Sequence, residues 1–309
     1  MTQPLIDFNF YPVRLTLKNL LKDKSTKKNI IWATNTYEYL GASFDDRSEM
    51  KEASFTHGFV LNPRTSKSAE IQLDRTRKKA EVYTPSWVVN LMNNYCDEVW
   101  FGRKNVFNIQ NGETWKPVRE KITFPEGKTW QDYVESRRLE ITCGEAPYLV
   151  SRYDAASSEP IRHTINRIGI LDRKLRVVNE NTNTKEEWVL WATKAVMSCY
   201  GYEYQGDSLL LARINVLLTF VEYFERRWDV DVDKKTLNKL ANIISWNLWQ
   251  MDGLTDNVPF GAPLGEYNQI SMTEVNNMTE VKKAEPVACR IYDWKANKSQ
   301  SFASLKENI

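Results

Sequence analysis

Apolar and polar positions recur with different periods along the chain, and the change of period divides it. Through the first 80 residues the pattern is irregular and polar, broken by one helical run, Val13-Arg-Leu-Thr-Leu-Lys-Asn-Leu-Leu21, and one extended run, Asn29-Ile-Ile-Trp-Ala33. Turn composition at 22–29 and 62–67 marks connections. Glu81-Val-Tyr-Thr-Pro-Ser-Trp-Val-Val-Asn-Leu-Met92 predicts a helix start, with an early proline and Thr84 or Ser86 as the cap. The stretch from Arg138 to Asp154 predicts a buried strand alternating at Leu139 and Ile141. Gly144 allows the backbone to change sign, and Ala146, Tyr148, Leu149 and Val150 follow at helical spacing. Amide groups at a turn that opens a helix have no internal partner, so they suit a ligand bearing a carboxylate and a ribose.

Farther along, residues 154–183 carry Arg162, His163, Arg167, Arg173, Lys174 and Arg176 among apolar positions. This reads as a half-buried pair of strands with solvated arginines, or as a basic hairpin that meets phosphate. Thr184-Lys-Glu-Glu187 is a capping box, and Asp207 is placed to cap the apolar helix of Ser208 to Phe220. Tyr200 to Asp207 and Ser245 to Gly253 predict short strands that end in acids. Between those two strands Thr236 to Ile244 predicts a helix, and after them Cys289 to Trp294 predicts a last strand.

Composition narrows the class. With 309 residues, 42% of them hydrophobic and 11 of them tryptophan, the chain fills a sizeable core in one large or two ordinary domains. A net charge of +2 excludes nucleic-acid binding by bulk charge, leaving local clusters at Lys22, Lys24, Lys27 and Lys28 and at Asp74-Arg-Thr-Arg-Lys-Lys79. Cysteines at 96, 143, 199 and 289 have no paired spacing and only two histidines exist, so no metal site is expected. Without a signal-peptide layout or an apolar run of spanning length, the expectation is a cytoplasmic protein with no membrane contact.

The Tyr83-Thr84-Pro85 turn before a helix, the strand with Thr142-Cys-Gly144-Glu-Ala146, and Tyr200-Gly-Tyr-Glu203 before an Ala-Arg-x-Asn helix together resemble adenine-specific (N-6) DNA methyltransferases of restriction–modification systems. The resemblance covers about Arg75 to Asn308. It implies an α/β fold, a Rossmann-like S-adenosylmethionine-dependent methyltransferase sheet incomplete at its carboxyl end, over 81–309, with 1–80 as an amino-terminal extension. It implies S-adenosylmethionine as cofactor and DNA as partner. Tyr83, Thr84, Pro85, Thr142, Gly144 and Ala146 are expected to border the cofactor, Glu203 to hold its ribose hydroxyls, and Asp252 to lie near its adenine. Ala146 stands where a second glycine is usual, which narrows the turn.

The family also presents an Asn/Asp-Pro-Pro-aromatic tetrapeptide that accepts hydrogen bonds from the adenine amine, and this sequence lacks it. The nearest approach, Asn257-Val-Pro-Phe260, follows Asp252 too closely. No catalytic residue is therefore assigned. The sequence supports the cofactor-binding part of such an enzyme, cut short or completed by a second polypeptide that carries the catalytic motif and target recognition. A non-catalytic binding protein and a truncated remnant are the alternatives.

Overall fold

A computed structural model describes residues 6–55, 59, 61, 84–261 and 285–306. At its centre lies a three-stranded parallel sheet: β3 (Arg138–Glu140), β4 (Cys199–Glu203) and β5 (Leu248–Gln250), in that spatial order. Two antiparallel hairpins flank it, β1 (Asn108–Asn111) with β2 (Thr114–Pro117), and β6 (Arg290–Asp293) with β7 (Lys298–Ser301). The helices are α1 (Val13–Leu20), α2 (Ser86–Phe101), α3 (Trp130–Glu135), α4 (Ile170–Asn181), α5 (Lys185–Met197), α6 (Gly206–Trp228), α7 (Lys234–Asn247) and α8 (Ala303–Lys306). Helices α4 and α5 connect β3 to β4, and α6 and α7 connect β4 to β5, as parallel strands require. The chain is thus a mixed α/β protein, and no described helix is long and apolar enough to cross a membrane.

Helix α6 runs through the middle, with Leu209, Leu210, Leu211, Ile214, Leu217 and Phe220 all buried. Asp207 lies inside its first turn, where it accepts from the Ser208 amide and from the Tyr37 hydroxyl, so it does not cap the helix. The Thr184 hydroxyl caps α5 through the Glu187 amide, whereas the Glu187 carboxylate accepts from Asn183, and the box is half formed. A complete box stands at Thr129 and Asp132 on α3.

The expected domain boundary at 80/81 falls among residues outside the description. Residues on its amino-terminal side share one apolar core with the sheet layer: Leu20, Leu21, Ile30 and Trp32 belong to the same cluster as Leu210, Leu240 and Leu248. Their attachment is polar as well. The Arg213 guanidinium is fully buried, and it donates to the carbonyls of Leu20, Lys22, Ser245 and Leu248, with no carboxylate bonded to it among the described residues. Burial lowers its pKa to about 10. The Gly206 amide donates to Trp32 O at 2.9 Å, and a β-carbon on Gly206 would sit 1.9 Å from Ile31 O.

Two predicted elements are corrected. The basic stretch 154–183 contains α4 in place of strands, and its cations are consumed internally: Arg173 donates to Asp97, Asn90 and Asn94, and Arg167 pairs with Glu222 and Asp172. Only Arg162 and His163 of the six are exposed, so the stretch forms no phosphate-binding hairpin. The segment after Gly144 forms turns and a short 3-10 helix at Thr164–Asn166, and the next α-helix starts at Ile170.

Candidate functional site

The site begins where β3 ends. Its alternation has period two, as expected, but the faces are exchanged: Leu139 and Ile141 are 48% and 63% exposed, while Glu140 is 8% exposed. Glu140 is inside because it has work there. Its carboxylate accepts from the Tyr148 amide at 3.2 Å and the Leu149 amide at 3.0 Å, binding the far side of the turn to the strand. No lysine, arginine or histidine pairs with it among the described residues, and burial pushes its carboxyl up to about 8.

Between strand and tie the backbone takes a left-handed conformation at every second residue, Thr142 (φ 45°), Gly144 (φ 53°) and Ala146 (φ 64°). Only glycine adopts this without steric cost, and each side-chain-bearing residue there stores about 1–2 kcal/mol. What holds the turn is its anchorage. The Cys143 amide donates to Tyr202 O at 2.8 Å, and Gly201 leaves room for the Cys143 side chain, since a β-carbon would come within 3.2 Å of it. The Gly144 amide donates to Glu203 Oε2 at 2.8 Å. Glu203, at the carboxyl end of β4, also accepts from the amides of Tyr204 and Gln205 through Oε1.

These groups wall a cavity of about 720 Å³ at the carboxyl ends of β3 and β4. Its lining includes Thr84, Thr142, Gly144 and Glu203 from the expected residues, together with Glu140, Tyr148 and Tyr204, and Met92, Asn93 and Cys96 from α2. Asn93 fixes α2 to the site by donating to Tyr148 O and Ile168 O, both at 3.0 Å. The start of α2 is tied in as well: its cap is the carboxylate of Asp154, which accepts from the Ser86 amide at 2.8 Å, and neither Thr84 nor Ser86 supplies it. That bond draws the Thr84-Pro85 turn against the stretch from Arg138 to Asp154.

The remaining expected residues lie elsewhere. Ala146 is fully buried beneath the turn, and neither it nor Pro85 is part of the cavity lining. Asp252 is also away from the lining; its carboxylate closes a local turn by accepting from the Leu254 amide at 2.9 Å, which is what an Asp-Gly pair does. Asn257 donates to Thr255 O in the same turn and bridges to Asp252 and Ala288. Tyr83 lies outside the described residues.

Glu140 is the residue that sequence reasoning missed. Alternation between two apolar neighbours marks a polar residue as outward, and the signal that it is inward, two amide donors eight and nine residues on, exists only in the folded turn. Its presence changes the chemistry expected of the site. The amides that a ligand anion would use are already bonded to Glu140 and Glu203, so the wall facing the cavity accepts hydrogen bonds and favours cations. The Glu203 carboxylate disfavours phosphate at this wall, while an ammonium, a sulfonium or paired hydroxyls fit it. Searches with family models, among curated proteins and among solved structures gave no match to the chain.

Proposed function

We propose that the chain is the S-adenosylmethionine-binding part of a DNA adenine-N6 methyltransferase, with a Rossmann-like sheet, acting on DNA together with a partner that supplies the catalytic strand. The observation that carries the reading is the pair of buried carboxylates, Glu140 and Glu203, at the carboxyl ends of adjacent parallel strands and on one cavity wall. That edge is where open α/β sheets take ligands. S-adenosylmethionine brings an ammonium, a sulfonium and two ribose hydroxyls, which suit a wall carrying the Glu203 carboxylate and a Glu140 carboxyl that ionises beside a cation. Glu203 takes the ribose and Glu140 the cationic end. Of the residues expected to border the cofactor, Thr84, Thr142 and Gly144 line this cavity, which supports the reading.

A second feature supports a partner strand. In the register of β3 with β4, Arg138 and Glu140 direct their backbone groups toward β4, leaving those of Leu139 and Ile141 for the other edge. Nothing among the described residues pairs with that edge. Leu139 and Ile141 expose apolar side chains beside it, and Met92 of α2 lines the same cavity. Parallel sheets are normally covered, and an apolar open edge is a template for another strand.

The test is thermal unfolding with and without ligand. S-adenosylmethionine at a hundred times its dissociation constant stabilises the folded chain by about 2.7 kcal/mol, read as a rise in melting temperature, and inorganic pyrophosphate leaves it unchanged. An unchanged melting temperature at millimolar S-adenosylmethionine overturns the reading. Labelled-methyl incorporation into DNA by the chain alone would show that no partner strand is needed.

A further inference from the structure

Away from the cavity, charge is distributed unevenly. Helices α1 and α7 pack against each other, with the Asn19 amide donating to Asn238 Oδ1 at 3.0 Å. Residues 13–30 and 234–247, which hold these helices and the loop after α1, contain nine lysines and arginines and one carboxylate in a chain whose net charge is +2. That carboxylate, Asp23, is buried and turned inward, accepting from the amides of Ser25 and Thr26 and the hydroxyl of Thr26.

The fold adds to this patch from a distant part of the sequence. Lys24 crosses to α7, donating to Asn242 Oδ1 at 2.8 Å and lying 5.8 Å from the Trp246 ring. The Arg290 amide on β6 donates to Ser25 Oγ at 2.9 Å, and Tyr292 on the same face of β6 packs 5.3 Å from Trp246. Lys18, Lys27, Lys239 and Arg290 are exposed. Helix α7 alone carries Lys235 and Asn242 seven residues apart, about 10 Å along its axis, and Lys239 lies between them on the same face. The burial that depresses the Lys24 pKa is reinforced by the charges of Arg213 and Lys22.

We infer that the surface formed by α1, the 21–29 loop, α7 and the start of β6 holds the phosphate backbone of duplex DNA. Cations spaced along a helix pair, with asparagine and serine donors between them, match phosphate oxygens and carry no base-reading group. None of the residues of this surface belongs to the cavity lining. The surface therefore serves as a sequence-independent anchor and does not present a base to the cofactor. The inference shares DNA as partner with the proposed function but requires no S-adenosylmethionine, so the two fail separately.

The experiment is fluorescence anisotropy of a labelled 25-base-pair duplex titrated with the full chain, without cofactor, across a salt series. The expected result is binding that weakens with salt at a log–log slope near −0.9 for each phosphate neutralised. The K18E/K27E/K239E variant is expected to lose at least about tenfold in affinity at 100 mM salt, with the slope shallower by about three. The K104E/K116E/K121E variant, with the same net charge but its changes at the end of α2 and around the β1–β2 hairpin, is expected to keep most of its affinity. Equal losses in the two variants, or no duplex binding at 50 mM salt, overturn the inference. So does binding to phosphatidylserine vesicles without binding to duplex. Should the charge reversals lower the melting temperature, the neutral K18Q/K27Q/K239Q set carries the same comparison.

Discussion

The two outer edges of the parallel sheet are treated differently. Along β5 the amino-terminal segment lies close, and Gln250 acts as the strand partner that is missing: its side-chain oxygen accepts from the Ile31 amide and its nitrogen donates to Ile31 O, both at 2.9 Å, and to Tyr204 O. Arg213 clamps the same segment from below through Leu20 O and Lys22 O. Along β3 no described residue pairs, two apolar side chains are exposed, and the turn that follows holds two strained residues. Among the described residues the sheet is thus sealed on one side by its own chain and apolar on the other. Leu139 and Ile141 of that side also line the cavity.

The sealed edge should be the costlier to disturb. Gly206→Ala puts a β-carbon 1.9 Å from Ile31 O and forces the segment off the start of α6. The expected loss is about 3 kcal/mol or more, read as a shift in the urea midpoint; a loss below about 1 kcal/mol would show that the segment is loosely held. Gln250→Ala leaves two backbone carbonyls and one amide unpartnered in the core. Its cost should be about 2–4 kcal/mol, and faster hydrogen exchange at Ile31 locates it.

On the open side the sign reverses. Thr142→Gly relieves a left-handed backbone worth about 1–2 kcal/mol and gives back about 0.5–1 in chain entropy, so the folded chain should gain up to about 1.5 kcal/mol. A net loss in the same urea assay would mean that the turn is not strained.

How much of this was legible beforehand depended on whether a signal was local. The three parallel strands and α6 were readable because apolar runs with turn residues around them mark elements in any context, and the Leu248 to Gln250 strand emerged although α7 extends over Ser245 to Asn247. The cap of α7, Asp233, is a local device that was overlooked. Gly144, marked by the strand–glycine pattern, and Glu203, marked by its place at a strand end and by the resemblance, do meet, amide to carboxylate, at 2.8 Å. What could not be read was long-range: Arg173 is inside because Asp97 lies 76 residues away, α2 is capped by Asp154, and Glu140 is inside because the chain returns to it. Charged residues buried through distant partners look like surface residues in a sequence, and the basic stretch 154–183 was misread for that reason.

The central claim is that Glu140 and Glu203 form a wall for a cation, and proton linkage tests it most directly. Glu140 has a folded pKa of about 8 against an ordinary 4.5, so near neutral pH it is largely protonated. The folded state holds a proton that the unfolded state has lost. This contributes stability that is complete below pH 4.5 and gone once the pH has risen through 8. A cation bound beside Glu140 favours the ionised form and expels that proton. Calorimetric titration of S-adenosylmethionine at pH 7 in buffers of different ionisation enthalpy should therefore show binding with release of up to about one proton, and Glu140→Gln should abolish the buffer dependence. Absence of binding heat at millimolar ligand, or an identical proton release from Glu140→Gln, would contradict the account.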